Sequence, residues 1–188
     1  MVNLTKIYTR TGDDGRTRLA DNSVVNKNSL IVKTLALVDS ANAQIGMVLS
    51  FGKLGENGKE ILSRIQNELF DLGADLATPI VDPEETKNLR ITPKMVERLE
   101  NHIDMYNLGL EPLRSFVMPG GSNTSSLLHV VRTKVREAEL MAWSTCEERF
   151  LNDDAIKYLN RLSDLMFVMA RFYNQEEMLW KPGGNEKI

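Results

Sequence analysis

Residues 7–18 read Ile-Tyr-Thr-Arg-Thr-Gly-Asp-Asp-Gly-Arg-Thr-Arg, which places three threonines, three arginines and two glycines close together. Glycine lets the backbone turn sharply and come close to a ligand. Hydroxyls, guanidinium groups and open backbone N–H groups are the donors that a polyphosphate needs around it. The stretch therefore reads as an anion-binding loop, although the same composition also suits a plain Gly/Asp turn. It is not a Walker A loop. Gly58-Lys59 is followed by Glu60, and no glycine stands five residues before Gly58.

A second cluster runs from Leu128 to Glu139 and contains His129, Arg132 and Arg136. Residues four apart on a helix share one face, so Arg132 and Arg136 project one turn apart, with His129 on the same stripe. Two such arginines repel each other unless an anion or a carboxylate lies between them. A solvated face with local pairs such as Arg136 to Glu139 is the alternative. The apolar neighbours on both sides favour a partly buried face, where a charge needs a partner. Farther on, Asn160 lies off much of the apolar stripe of its helix, and its two-sided amide suits a base or ribose edge. Arg161 and Asp164 read as a structural i,i+3 pair. Asp39 interrupts an apolar stretch and so calls for a cation, for which an arginine of the Leu128–Glu139 helix is the natural candidate.

Five helices must position these groups. Ile31, Leu35, Val38, Asn42, Ile45 and Leu49 recur at 3–4 spacing behind a Ser29 cap, and Gly52, Gly55 and Gly58 end that helix. The second helix carries Ile61, Leu62, Ile65, Leu69, Leu72 and Leu76 and stops before Thr78-Pro79. A polar loop covers 81–90. Thr92-Pro93 opens a third helix that runs to about Tyr106. Pro119-Gly120-Gly121 breaks the chain, and Ser122, Asn123 or Thr124 caps a fourth helix reaching about Glu148. Asn152 or Asp153 caps a fifth that ends near Tyr173. Its stripe of Ile156, Leu159, Leu162, Leu165, Met166 and Met169 is core, not a metal site. The pattern predicts an all-α, antiparallel five-helix bundle. It divides into an N-terminal loop segment (1–28), the bundle (29–175) and a tail (176–188), all in one domain.

Composition narrows the function. The chain has 188 residues, is 42% hydrophobic and has a net charge of −3, which fits a globular core and argues against a nucleic-acid-coating protein. Cys146 is the single cysteine, so no disulfide forms within the chain and a reducing compartment is expected. No apolar run approaches the ~20 residues of a membrane span. A cytoplasmic location follows as the expectation. His102 and His129 stand far apart, so no His/Cys spacing fits a zinc site.

Taken together, Tyr8 to Gly15, Val38-Asp39, Arg64 to Gly73, Phe116 to Gly121, Leu128 to Arg132 and Tyr158 to Asp164 resemble the PduO-type ATP:corrinoid adenosyltransferases. The likeness runs through nearly the whole chain, in order. It implies a homotrimer with an ATP site at each subunit interface and a corrinoid beside it. It also implies transfer of the 5′-deoxyadenosyl group of ATP to reduced cobalamin, with release of triphosphate. Cobalt(I) is itself a strong nucleophile, so no catalytic serine, cysteine or general base is needed. The protein's task would be to align C5′ with cobalt and to stabilise the leaving triphosphate, helped by magnesium on the phosphates. The resemblance assigns Thr9, Arg10, Thr11, Gly12, Thr17, Arg18, Lys27, Arg136, Glu139 and Asn160 to ATP. It assigns Phe116, Asp39, Arg132 and Phe167 to cobalamin, with Asp39 and Arg132 as an inter-subunit ion pair. By the same resemblance, Phe116 matches an aromatic that displaces the lower axial base of the corrinoid, which would make cobalt(II) easier to reduce. Arg136, Arg132 and Asp39 are the residues expected to act in catalysis. A flavoprotein-type reductase and an adenosylcobalamin-dependent client enzyme would be the partners.

Three positions depart from the family pattern: Ser40 replaces a usual glutamate, and Glu137 and Leu140 replace arginines. Adjacent helix positions point about 100° apart, so Glu137 need not face the ligand that Arg136 faces. Loss of the carboxylate at 40 and of the arginines at 137 and 140 could compensate one another. The departures also fit a second reading, a homologue that binds ATP or adenosylcobalamin and delivers cofactor with little turnover.

Overall fold

The computed structural model describes residues 7, 8, 10–80, 88–174 and 176–183. Most of the loop expected at 81–90 lies outside the described residues. A short antiparallel hairpin, β1 (Arg16–Arg18) and β2 (Val24–Asn26), precedes five helices: α1 (Leu30–Phe51), α2 (Glu56–Ala77), α3 (Pro93–Asn107), α4 (Asn123–Cys146) and α5 (Asp153–Phe172). The expected bundle is present, with helix ends close to those the caps and breakers predict. Ser122 and Asn152 cap with their side chains, accepting from the backbone N–H groups of Ser125 at 3.0 Å and Asp154 at 3.1 Å. Ser29 and Thr92 occupy the cap positions of α1 and α3 without a side-chain cap bond.

The helices pack in the order α2, α1, α4, α5, α3, with a lighter α2–α5 contact. The short 52–55 link turns α2 back beside α1, as short connections in bundles do. Apolar stripes from all five helices meet in one core, in which Ile45, Leu62, Leu72, Leu128, Leu159 and Leu162 are buried. The buried carboxylates Glu68 and Asp75 are paired, as burial requires. Tyr158 of α5 donates to Glu68 of α2 at 2.8 Å, and Glu68 also pairs with Arg98 of α3 and with Arg64 at 3.2 Å. Asp75 pairs with Arg90 at 2.8 Å and accepts from Asn152 at 2.7 Å, tying the end of α2 to the start of α5.

Two features differ from the sequence reading. Gly58 lies inside α2 and does not interrupt it: a Cβ there would stand 2.2 Å from the Tyr173 hydroxyl, so the absent side chain makes room for the end of α5. Residues 176–183 are also more than a trailing tail. Val117 and Leu179 form an antiparallel bridge, Met118 N donates to Met178 O at 2.8 Å, and Trp180 N donates to Phe116 O at 2.8 Å.

Candidate functional site

The N-terminal loop folds as an open cradle. Arg10 has φ 60 and its guanidinium lies 5.8 Å from the centre of the Tyr8 ring. Asp14 receives Arg16 through Nε at 2.8 Å and Nη2 at 2.6 Å, and this contact holds its carboxyl below the usual range. Arg18 donates to the carbonyl of Asn22 across the hairpin at 3.2 Å. Lys27 N donates to Gly15 O at 2.8 Å. A Cβ at Gly12 would lie 3.0 Å from both the Arg16 carbonyl oxygen and the Lys27 ammonium nitrogen, so the bare position lets the hairpin backbone and Lys27 close over the loop. Thr11, Gly12, Asp14, Arg16, Thr17, Arg18 and Val24 line a cavity of about 560 Å³. Of the residues assigned to ATP, Thr11, Gly12, Thr17 and Arg18 thus share one concavity, with Lys27 beside it. Thr9 lies outside the described residues.

Glu139 of α4 and Asn160 of α5 meet away from the cradle, and Arg136 stands nearly one turn before Glu139 on α4. Asn160 Nδ2 donates to Glu139 at 3.2 Å, and Asn160 Oδ1 accepts from Arg161 at 2.7 Å. Glu139 therefore pairs with Asn160, and the Arg136–Glu139 pair considered from the sequence does not form. Arg161 pairs with Asp164 at 3.0 Å, as expected, and also with Glu100 at 2.9 Å. Arg136 is exposed and makes no ion pair with any described residue. Glu137 turns to Lys134 at 2.6 Å. No hydrogen bond joins Ser40 to Glu137, and Leu140 is exposed, so nothing within the described chain supports compensation among the three departures.

A third group assembles around the segment 113–117. Leu113, Arg114, Ser115, Phe116, Val117, His129, Arg132, Phe167, Trp180, Lys181 and Pro182 enclose a cavity of about 900 Å³. It unites Phe116, Arg132 and Phe167, three of the four residues assigned to cobalamin, and its size suits a large, mostly apolar ligand. Phe116 is 77% exposed, and its ring lies 6.0 Å from that of Trp180. Arg132 Nε donates to His129 Nδ1 at 3.4 Å, and the His129 ring rests 6.2 Å from Phe167. Burial first, and Arg136 second, push the Arg132 guanidinium below its usual pKa. Two neighbouring arginines without a described carboxylate are primed for an anion or for a partner's carboxylate. The fourth residue, Asp39, is exposed on α1 and forms no ion pair with Arg132 within the chain.

The family model described as Cobalamin adenosyltransferase matches residues 7–173. The chain belongs to the cobalamin adenosyltransferase family. Among its similar relatives is the corrinoid adenosyltransferase of Mycobacterium tuberculosis, 49% identical over 187 residues, covering 98% of this chain and 97% of that protein. The corrinoid adenosyltransferase of Bacillus subtilis is 40% identical over 173 residues, covering 90% and 86%. Similar solved structures include a phenylalanine-to-alanine variant of the PduO-type ATP:corrinoid adenosyltransferase from Lactobacillus reuteri, complexed with cobalamin and ATP. The two are 34% identical with a TM-score of 0.85, covering 94% of this chain and 99% of that one. Within this adenosyltransferase, sequence reasoning missed His129 as a cavity wall and missed Leu113, Trp180, Lys181 and Pro182 altogether. His129 shares a face of α4 with Arg132, a spacing that could have placed it. Trp180 reaches the cavity only through a non-local bridge that no periodicity signals.

Proposed function

We propose that the protein transfers the 5′-deoxyadenosyl group of ATP to the cobalt of reduced cobalamin and releases triphosphate. The cobalt electron pair forms the new bond to C5′, and the C5′–O bond breaks with its electrons leaving on the triphosphate. Such a displacement asks the protein for alignment and charge, not for a general base. The observation that carries the reading is the pair of sites: a Gly/Thr/Arg/Lys cradle for polyphosphate, and a large aromatic-walled cavity holding Phe116, Phe167 and Arg132. In this reading Thr9, Arg10, Thr11, Gly12, Thr17, Arg18 and Lys27 hold the phosphates. Arg136, Glu139 and Asn160 hold the nucleoside side, and Phe116 denies the lower face of the corrinoid its axial ligand. Among the described residues, no group of three His, Cys, Asp or Glu side chains is placed to hold a metal ion. In this reading magnesium comes with the phosphates, whose charge it shares with the arginines.

The active form in this reading is a homotrimer. The cradle is lined by residues of the N-terminal segment and hairpin alone, while Arg136 is exposed on α4 with no ion-pair partner among the described residues. Pairing the cradle of one subunit with α4 of the next would give each side what it lacks, and would let Asp39 meet Arg132 across the interface. A head-to-tail contact of this kind gives a closed ring when its rotation brings the last subunit back to the first. No described helix is long and apolar enough to cross a membrane. The expected setting is cytoplasmic, with a flavoprotein-type reductase supplying the electron and an adenosylcobalamin-dependent enzyme taking the product.

Subunit mixing tests the shared site. Lys27→Ala and Arg136→Ala are each expected to be nearly inactive alone. Unfolded together and reassembled at equal amounts, they should regain about a quarter of wild-type activity, the share of random interfaces that are intact on both sides. No recovery, with trimers formed, would mean that both groups belong to one subunit's site.

A further inference from the structure

Arg171 stands in the last turn of α5, and its side chain is only 5% exposed. Nε donates to Glu177 Oε1 at 2.5 Å, Nη2 donates to Glu177 Oε2 at 3.1 Å, and Nη2 also donates to the carbonyl of Glu111 at 2.8 Å. The guanidinium fork thus grips a carboxylate with two bonds and a backbone carbonyl with a third, a geometry that lysine cannot reproduce.

The two gripped residues begin the two segments that wall the 900 Å³ cavity. Glu111 leads into Leu113, Phe116 and Val117, and Glu177 leads into Trp180, Lys181 and Pro182. Beyond the grip the segments zip together. Met118 N bonds Met178 O, Trp180 N bonds Phe116 O, and Ser115 Oγ donates to Trp180 O at 2.7 Å. Residues 176–183 lie beyond the 7–173 that the family model matches. Asn174, just past α5, donates to Glu176 O at 2.8 Å and accepts from Ser122 N at 3.2 Å, which ties the C-terminal segment to the turn before α4, but among the described residues of α5 Arg171 alone donates to both cavity-wall segments.

We propose that Arg171, with Glu177, is a positioning residue for the corrinoid: it clamps the Phe116 segment to the C-terminal segment and so fixes the Phe116 ring in the cavity wall. The proposal rests on the adenosyltransferase reading for its substrate. It makes the clamp specific to one substrate, because the ATP cradle shares no residue with either segment.

Glu177→Gln is the gentler test, since it keeps the shape and removes the charge. The KM for cob(I)alamin is expected to rise about tenfold, the equivalent of removing one charge-assisted hydrogen bond, while the KM for ATP stays within about twofold. Glu177→Asp should recover part of that affinity, and Arg171→Lys should show the same split as Glu177→Gln. Hydrogen exchange supplies a readout independent of turnover: the amides of Met118 and Trp180 should exchange faster in the variant, while those of mid-α4 do not change. Unchanged exchange at Met118 and Trp180 overturns the clamp. Equal rises in both KM values, with exchange faster throughout the bundle, overturn it too, by showing general structural support. A wild-type protein that makes no adenosylcobalamin would instead count against the adenosyltransferase reading, and the exchange experiment would still decide the clamp.

Discussion

Replacing Gly121 by alanine should weaken the protein at the turn that launches α4 and presents Phe116. Gly121 has φ +92, where an L side chain is strained, and a Cβ there would stand 2.2 Å from Asn174 Oδ1. That oxygen accepts from Ser122 N at 3.2 Å, and Ser122 Oγ in turn donates to Tyr173 O at 2.7 Å. Backbone strain of this kind costs about 1–3 kcal/mol. Displacing Asn174 sacrifices a hydrogen bond worth about 1 kcal/mol. The sum is about 2–4 kcal/mol, or a fall in Tm of about 5–15 °C for a domain of this size. Urea denaturation of Gly121→Ala, Asn174→Ala and the double variant separates the two contributions. With the amide removed, the alanine at 121 should cost only the backbone part, so the double variant should be more stable than the sum of the singles by about 1 kcal/mol. Additive effects would show that no clash occurs with Asn174. A Gly121→Ala cost under about 0.5 kcal/mol would refute the backbone argument as well.

Other consequences are equally open to measurement. Gly12→Ala should displace both the Lys27 ammonium and the Arg16 carbonyl from the loop and raise the calorimetric Kd for ATP by about tenfold or more; an unaltered Kd would separate the loop from the nucleotide. Glu137→Gln should change turnover by less than about twofold, because Glu137 is engaged with Lys134 in an exposed pair of small worth. A large gain in turnover would mean that Glu137 does oppose the triphosphate. Burial, followed by Arg132, holds the His129 imidazole below its ordinary 6.5. Below pH 6.5 the unfolded chain therefore takes up a proton that the folded one refuses, and stability falls with pH until the depressed native value is reached. Urea midpoints between about pH 5 and pH 8 should show a shallower acid decline for His129→Gln than for wild type; equal slopes would contradict this. His102 is shifted the same way and leaves a residual slope in both proteins.

The bundle was legible because its signals are local and redundant. Apolar spacing in α1 and α5, Pro93 at the start of α3, and the Pro119-Gly120-Gly121-Ser122 stop and cap before α4 each mark an element without help from the rest of the chain. What escaped depends on distant contacts. Gly58 reads as a breaker until Tyr173 is seen to occupy its missing side chain. The β1–β2 strands are three residues each, too short for alternation to show. The same holds at the sites. Gly12, Thr11 and Arg18 could be grouped because they are neighbours in sequence, whereas Trp180 meets Phe116 through a backbone bond and a ring contact between segments more than 60 residues apart. Asp39 calls for a cation from its apolar sequence neighbours, yet it is exposed on α1 and pairs with no described residue, which its neighbours in sequence do not signal.

The most direct test of the account is an anaerobic single-turnover reaction of the protein with ATP and chemically reduced cob(I)alamin, with both products quantified. Adenosylcobalamin and triphosphate should appear together in equal amounts, and Arg136→Ala should abolish both. Tight binding of both substrates without adenosylcobalamin, or release of diphosphate or orthophosphate in place of triphosphate, would contradict it.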